Sequence, residues 1–281
     1  MPSGPGIGTL FGVASAVSFG VGDFAGGLAA RRAGGLAVAA VAQLIGGLVL
    51  LVIAAVTRPA LPDVGSLTLG VGAGLAGAIG VAALYRGLAL GAMGLIASIS
   101  GVGTVAIPLL FSIYLAGSPI RPLQVVGVGL AAAAIVAAGG ASRGAASRQA
   151  LVLALLAAVG FGFWSVLLDQ AAHGSGSWAL VTSRVAGTTL LLTIATLRGS
   201  LGPVRHAWPL VTVSGACDVG GNALFVVARG SLPVGLAAAL VGIYPVITLL
   251  LARVIVRERL PVLGIAGVGL ALLAIVLISA G

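Results

Sequence analysis

The sequence predicts an all-α integral membrane protein in which ten transmembrane helices form two inverted five-helix repeats. Three observations carry this reading. Of the 281 residues, 60% are hydrophobic and only 7% charged, with a mean hydropathy of +1.26, whereas soluble domains carry about 25% charged residues. Apolar runs follow one another along almost the whole chain, each close to the ~20 residues that cross a hydrocarbon core. The pattern also repeats: GVGLAAAAIV at 127–136 returns 140 residues later as GVGLALLAIV at 267–276, with eight of ten positions identical.

Low-complexity apolar sequence inflates such matches, so the offset needs support elsewhere. Arg58 maps onto Arg198, each closing an apolar run, and Tyr85 maps onto Phe225. Gln43 and Arg184 match at an offset of 141, consistent with a one-residue insertion. In order, the predicted spans are 7–29, 35–56, 66–88, 92–115, 120–139, 151–170, 177–197, 208–228, 233–256 and 261–280. Arg31–Arg32, Arg58, Arg121, Arg198, Arg205 and Arg257–Arg259 punctuate the connections between them. Residues 1–140 form the first repeat, the polar, small-residue segment 141–149 joins the copies, and 150–281 form the second. Five spans per copy is an odd number, so the second copy enters the membrane inverted. Inverted repeats are a common way to build secondary transporters, with the substrate site between the copies.

The net charge of +9 comes from fourteen arginines and five acids, without lysine. In a soluble protein this would point to nucleic acid. Here the arginines cluster at span ends, where they meet lipid headgroups and set topology, so nucleic acid is not an expected partner. Connections numbered odd carry most of them, which by the positive-inside rule places those connections in the cytoplasm and both termini outside. One cysteine, Cys217, excludes an internal disulfide and a cysteine metal cluster. Without a basic leading region or small-residue cleavage site, the first span is expected to be retained.

Five spans in each of two inverted halves resembles the drug/metabolite transporter superfamily, specifically the EamA-type permeases. The best-matching stretch runs from Leu240-Val241-Gly242-Ile243-Tyr244-Pro245 through Arg257-Glu258-Arg259-Leu260 to Gly267. It is similar to the family's mid-helix proline, Glu near the span end and Gly-punctuated last span. Ser18-Phe19-Gly20 and Phe161-Gly162 resemble the aromatic-Gly of the first and sixth spans. The first copy departs from the pattern, with Ser118 where the second has Glu258 and Pro108 shifted by three residues from the place of Pro245. The resemblance implies both termini in the cytoplasm, opposite to the arginine tally.

An ionisable group in hydrocarbon costs about 2.5–3.5 kcal/mol on insertion scales, so each one is a site candidate. Asp218 is central in the eighth span, with Asn222, Phe225 and Arg229 along one helical face at i+4, i+7 and i+11. Its counterpart in the first copy is Ala78. Asp23 shares a stripe with Phe19 and Gly26, and Ser165 takes its place in the sixth span. Arg184 falls within the seventh span and is expected to pair with Asp218 or hold a substrate carboxylate. Ser98–Thr104 is rich in small hydroxyls and glycine, and Thr104 aligns with Tyr244, so Ser100, Thr104 and Tyr244 are cavity candidates. Trp164 is expected to wall the same pocket. Asp169 reads as a solvated span end, and Glu258 as an interfacial ion pair with Arg257 and Arg259.

These readings converge on a secondary active transporter, an exporter, of small organic metabolites such as amino acids, working by alternating access. A mid-span acid that binds and releases a proton would couple it to the proton gradient. A passive channel, facilitator or exchanger is the alternative. An intramembrane enzyme fits poorly: His173 and His206 lie in connections, and no Gly-x-Ser-x-Gly or metal motif occurs. No cofactor or metal is expected. The expected setting is the plasma (inner) membrane, multi-pass, as a monomer or homodimer.

Overall fold

The computed structural model describes residues 5–59, 61–114, 119, 121–141, 147–232 and 234–280. Among them the chain is all-helical: α1 (Pro5–Ala33), α2 (Gly35–Thr57), α3 (Val64–Leu90), α4 (Met93–Tyr114), α5 (Pro122–Ala141), α6 (Arg148–Leu197), α7 (Trp208–Arg229), α8 (Val234–Val241), α9 (Tyr244–Ile255) and α10 (Val262–Ala280). Nine apolar helical segments among the described residues are long enough to cross a membrane, and α5 supplies a shorter one, Pro122–Ala137. The protein is a multi-pass membrane protein.

Two departures from ideal helices follow from the sequence. The helical run of α6 holds two span-length segments, Arg148–Ala172 and Ser177–Leu197. Trp164 Nε1 donates to Ser183 Oγ at 3.2 Å, although nineteen residues along a straight helix span about 28 Å. The run therefore folds back on itself between the segments. The ninth expected span is broken at Gly242–Ile243 into α8 and α9, just before Pro245, which lies in the first turn of α9 where its missing N–H costs nothing.

Small residues set how closely helices approach. Gly20 on α1 lies against Ile247 on α9, and Gly162 on α6 lies against Ile107 on α4; neither position has room for a Cβ. On α3, Gly77 receives the indole of Trp164, while on α1 Gly22 receives Cys217 of α7. Ser15 and Ser18 donate to the carbonyls of Gly221 and Cys217, each at 2.7 Å, pinning α1 to α7. The two matching decamers meet in one cluster, with Ala131 and Ala134 of α5 against Ala271, Ala274 and Ile275 of α10.

Candidate functional site

A cavity of about 300 Å³ lies between spans from both halves of the chain. Of the nine side chains expected there, eight border it: Asp23, Thr104, Trp164, Arg184, Asp218, Asn222, Phe225 and Tyr244. Ser100 does not. It is buried, and its hydroxyl donates back to the Ile96 carbonyl at 2.9 Å and across to Ala154 O at 3.4 Å. A serine in a helix interior satisfies itself on the preceding turn, which a count of small hydroxyls does not foresee.

The charged wall is built from two helices. Arg184, on the second segment of α6, forms an ion pair through Nη2 with Asp218 Oδ2 of α7. The pair is partly open to the cavity, with side chains 12% and 33% exposed. Gly46 of α2 lies beside both partners, leaving them room to meet. Asn222 turns back along its own helix, its Nδ2 donating to the Asp218 carbonyl at 2.7 Å. Asp23 enters from α1, and among the described residues its carboxylate has no hydrogen bond or ion pair.

Aromatic rings form much of the remaining wall. Tyr244 stacks edge-on to Phe19, centroids 6.4 Å apart, and its hydroxyl donates to Ala97 O at 3.3 Å. Phe225 faces the cavity and carries the Arg229 guanidinium 5.8 Å over its ring. Tyr85 and Ser214, neither expected as a site residue, both border the cavity and share a hydrogen bond of 2.7 Å. The available signal was position: Ser214 is one turn before Asp218, and Tyr85 is the repeat partner of Phe225. Phe161, whose Gly162 neighbour carried part of the resemblance, also lines the cavity.

A second cavity of about 350 Å³ shares Thr104 with the first and continues past Pro108 and Phe111 to Ser165, Asp169 and Gln170. Asp169 is thus part of a polar recess at the span end.

Glu258 corrects its expectation. Arg257 adopts left-handed backbone (φ 55°), and the Glu258 N–H donates to Ala252 O at 3.1 Å, closing α9. The carboxylate does not pair with its flanking arginines. Its Oε2 accepts the Met93 N–H at 2.8 Å, capping α4 from 165 residues away. Burial pushes the carboxyl above its usual range, against the opposing pull of the Met93 and Gly94 amides and the Arg31 charge. Ser118, its counterpart in the first copy, lies outside the described residues.

With the site in place, comparison decides the family. Residues 148–280 match the EamA-like transporter family. That half of the chain belongs to it. The match covers slightly less than half of the chain and places that segment with the EamA-like proteins of the drug/metabolite transporter superfamily, which are transporters rather than enzymes. No curated protein matches the chain. A solved structure, titled only as the crystal structure of a protein, is 19% identical with a TM-score of 0.64, covering 96% of this chain and 95% of that one. At that identity the likeness speaks to fold alone.

Proposed function

We propose that this EamA-like protein is a secondary active transporter, an exporter of small organic metabolites such as amino acids, in the plasma (inner) membrane. It works by alternating access around the central cavity and is coupled to protons. One observation carries the reading: spans of both halves enclose a small cavity whose wall holds an ion pair and an unpartnered carboxylate, groups that lipid would not tolerate without use.

Alternating access further requires two halves able to rock about a shared site. We read the chain as two inverted five-helix repeats, with α5 as the fifth crossing and α8–α9 as the ninth. Matched contacts support this. The Gly20–Ile247 approach recurs as Gly162–Ile107, with offsets of 142 and 140. The Gly22–Cys217 approach recurs as Trp164–Gly77 at the same two offsets. An exchange of partners between copies is what a pseudo-two-fold axis in the membrane plane generates.

The test is solute movement by the purified full-length protein in proteoliposomes, with and without an imposed pH gradient. Saturable accumulation that collapses with the gradient is expected. Saturable flux that only equilibrates would make the protein a facilitator, and the absence of any flux would overturn the reading.

A further inference from the structure

Charge complementarity at the cavity narrows the cargo further than its size does. Three acidic or basic side chains border the cavity: Asp23, Asp218 and Arg184. Arg184 is already committed to Asp218. Arg86 and Arg229, on helices that line the cavity, do not help: Arg86 is exposed, and Arg229 is exposed with its guanidinium over Phe225. Neither borders the cavity. Among the described residues that line the cavity, the Asp23 carboxyl is left without a cationic side chain of its own. A desolvated carboxylate is costly unless a proton or a cation neutralises it, and a cationic cargo can displace that proton.

We propose that the cavity selects cargo of net positive charge, a small organic amine with an apolar body, and that Asp23 receives its ammonium group. This rests on the transporter reading of the same cavity. The aromatic wall fits such a cargo. Phe19 is one turn from Asp23 on α1, and Tyr244 stands edge-on to it. Ring faces attract a desolvated ammonium and also pack an apolar body. A volume of about 300 Å³ is at the small end of ligand pockets, which start at about 300 Å³. An organic acid would meet two carboxylates and an arginine that is already paired. A zwitterionic amino acid would have to break the Arg184–Asp218 pair to seat its carboxylate, so it binds more weakly than the matching amine.

The charge series phenethylamine, phenylalanine and phenylacetate tests this, since the body stays nearly constant while the net charge falls from +1 to −1. Binding is measured by calorimetry on the full-length protein in nanodiscs at neutral pH. The wild-type protein is expected to bind phenethylamine saturably, at least tenfold tighter than phenylalanine, and to ignore phenylacetate. Asp23→Asn is expected to weaken the amine at least tenfold, and Asp23→Glu to recover part of that loss. Phenylalanine or phenylacetate binding as tightly as the amine overturns the inference. So does an amine affinity within twofold of wild type in a folded Asp23→Asn protein, or no saturable amine binding at all. The wild-type series decides the matter even if Asp23→Asn does not fold. A protein that transports neutral solutes yet shows no preference for the amine would lose this inference while keeping the transporter reading. Amine binding without flux would do the reverse.

Discussion

The two halves of the chain supply the cavity with like rings and unlike charges. Phe19 of α1 and Phe161 of α6, 142 residues apart, both line it, as do Tyr85 and Phe225, 140 apart. Opposite the second half's Asp218 and Arg184, the first half has Ala78 and Gln43; opposite Asp23, the second has Ser165, which faces the neighbouring recess instead. Ring positions therefore recur at the sequence offset while ionisable ones do not. A scaffold that rocks needs matched helix contacts in both copies, but a binding site needs its charges at one end of the cargo only. The unpaired positions are those we assign to the proposed site.

Removing the charge asymmetry should have the largest effect. Asp218→Asn is expected to abolish gradient-driven accumulation while the protein still inserts, because a neutral amide cannot cycle a proton. Uptake in vesicles under an imposed pH gradient reads this directly. Accumulation at wild-type level would make Asp218 a structural residue.

Arg184→Gln, which copies Gln43 of the first half, should come next. It leaves Asp218 without its partner. Breaking a buried pair costs about 3–5 kcal/mol, and the partial exposure of this pair reduces the expected loss to about 2 kcal/mol. The double variant Arg184→Gln/Asp218→Ala should recover most of that stability, since neither charge is stranded, yet remain inactive. Thermal unfolding of the singles and the double, set out as a cycle, measures the coupling. Additive losses would mean the pair contributes nothing to the fold.

How far the sequence carries this picture depends on which force is at work. Spans and the repeated decamer are written in hydropathy, which each residue expresses alone. Asp218, Arg184 and Asp23 stand out because charge in lipid is costly wherever it occurs. The break at Gly242–Ile243 is foreshadowed by Pro245. Hydrogen-bond partners are a different matter. Nothing local tells Ser100 to bond Ile96 and Ala154 rather than face the cavity, and Glu258 has arginines on both sides in sequence yet is held by Met93 in space. Such choices are made by tertiary approach across halves, and one sequence does not encode them legibly.

Glu258 offers a smaller but informative break. Glu258→Ala removes the cap on α4, and a hydrogen bond to a charged group contributes about 1.5–3 kcal/mol. Hydrogen exchange at Met93 and Gly94 should accelerate accordingly, with the rest of the chain unaffected. Its pH dependence has a definite sign. The folded chain holds the Glu258 proton above the ordinary glutamate value of 4.5, so the folded state binds more protons than the unfolded one in that window. The contribution of Glu258 to stability therefore falls as pH rises above about 4.5. Glu258→Gln, which keeps an acceptor for Met93 but has no proton to lose, should flatten that part of the profile. An unchanged profile would place its origin elsewhere.

The smallest effect is expected where the two halves already differ by a single oxygen. Tyr85→Phe gives the first half the ring that the second carries at Phe225. It keeps the packing and removes the hydroxyl that bonds Ser214 at 2.7 Å. A neutral hydrogen bond contributes about 0.5–1.5 kcal/mol, and the Ser214 hydroxyl, fully buried, would be stranded. Tyr85→Phe/Ser214→Ala removes both partners together, so it should be more stable than Tyr85→Phe alone. If Tyr85 only braces α3 against α7, both variants will bind and accumulate cargo like wild type despite the lower unfolding temperature of the single. If its hydroxyl also touches cargo, affinity will fall in both, and the double variant will recover stability without recovering binding. Calorimetric affinity set beside thermal unfolding on the same two proteins separates these outcomes, and with them a ring that belongs to the duplicated scaffold from one that belongs to the site.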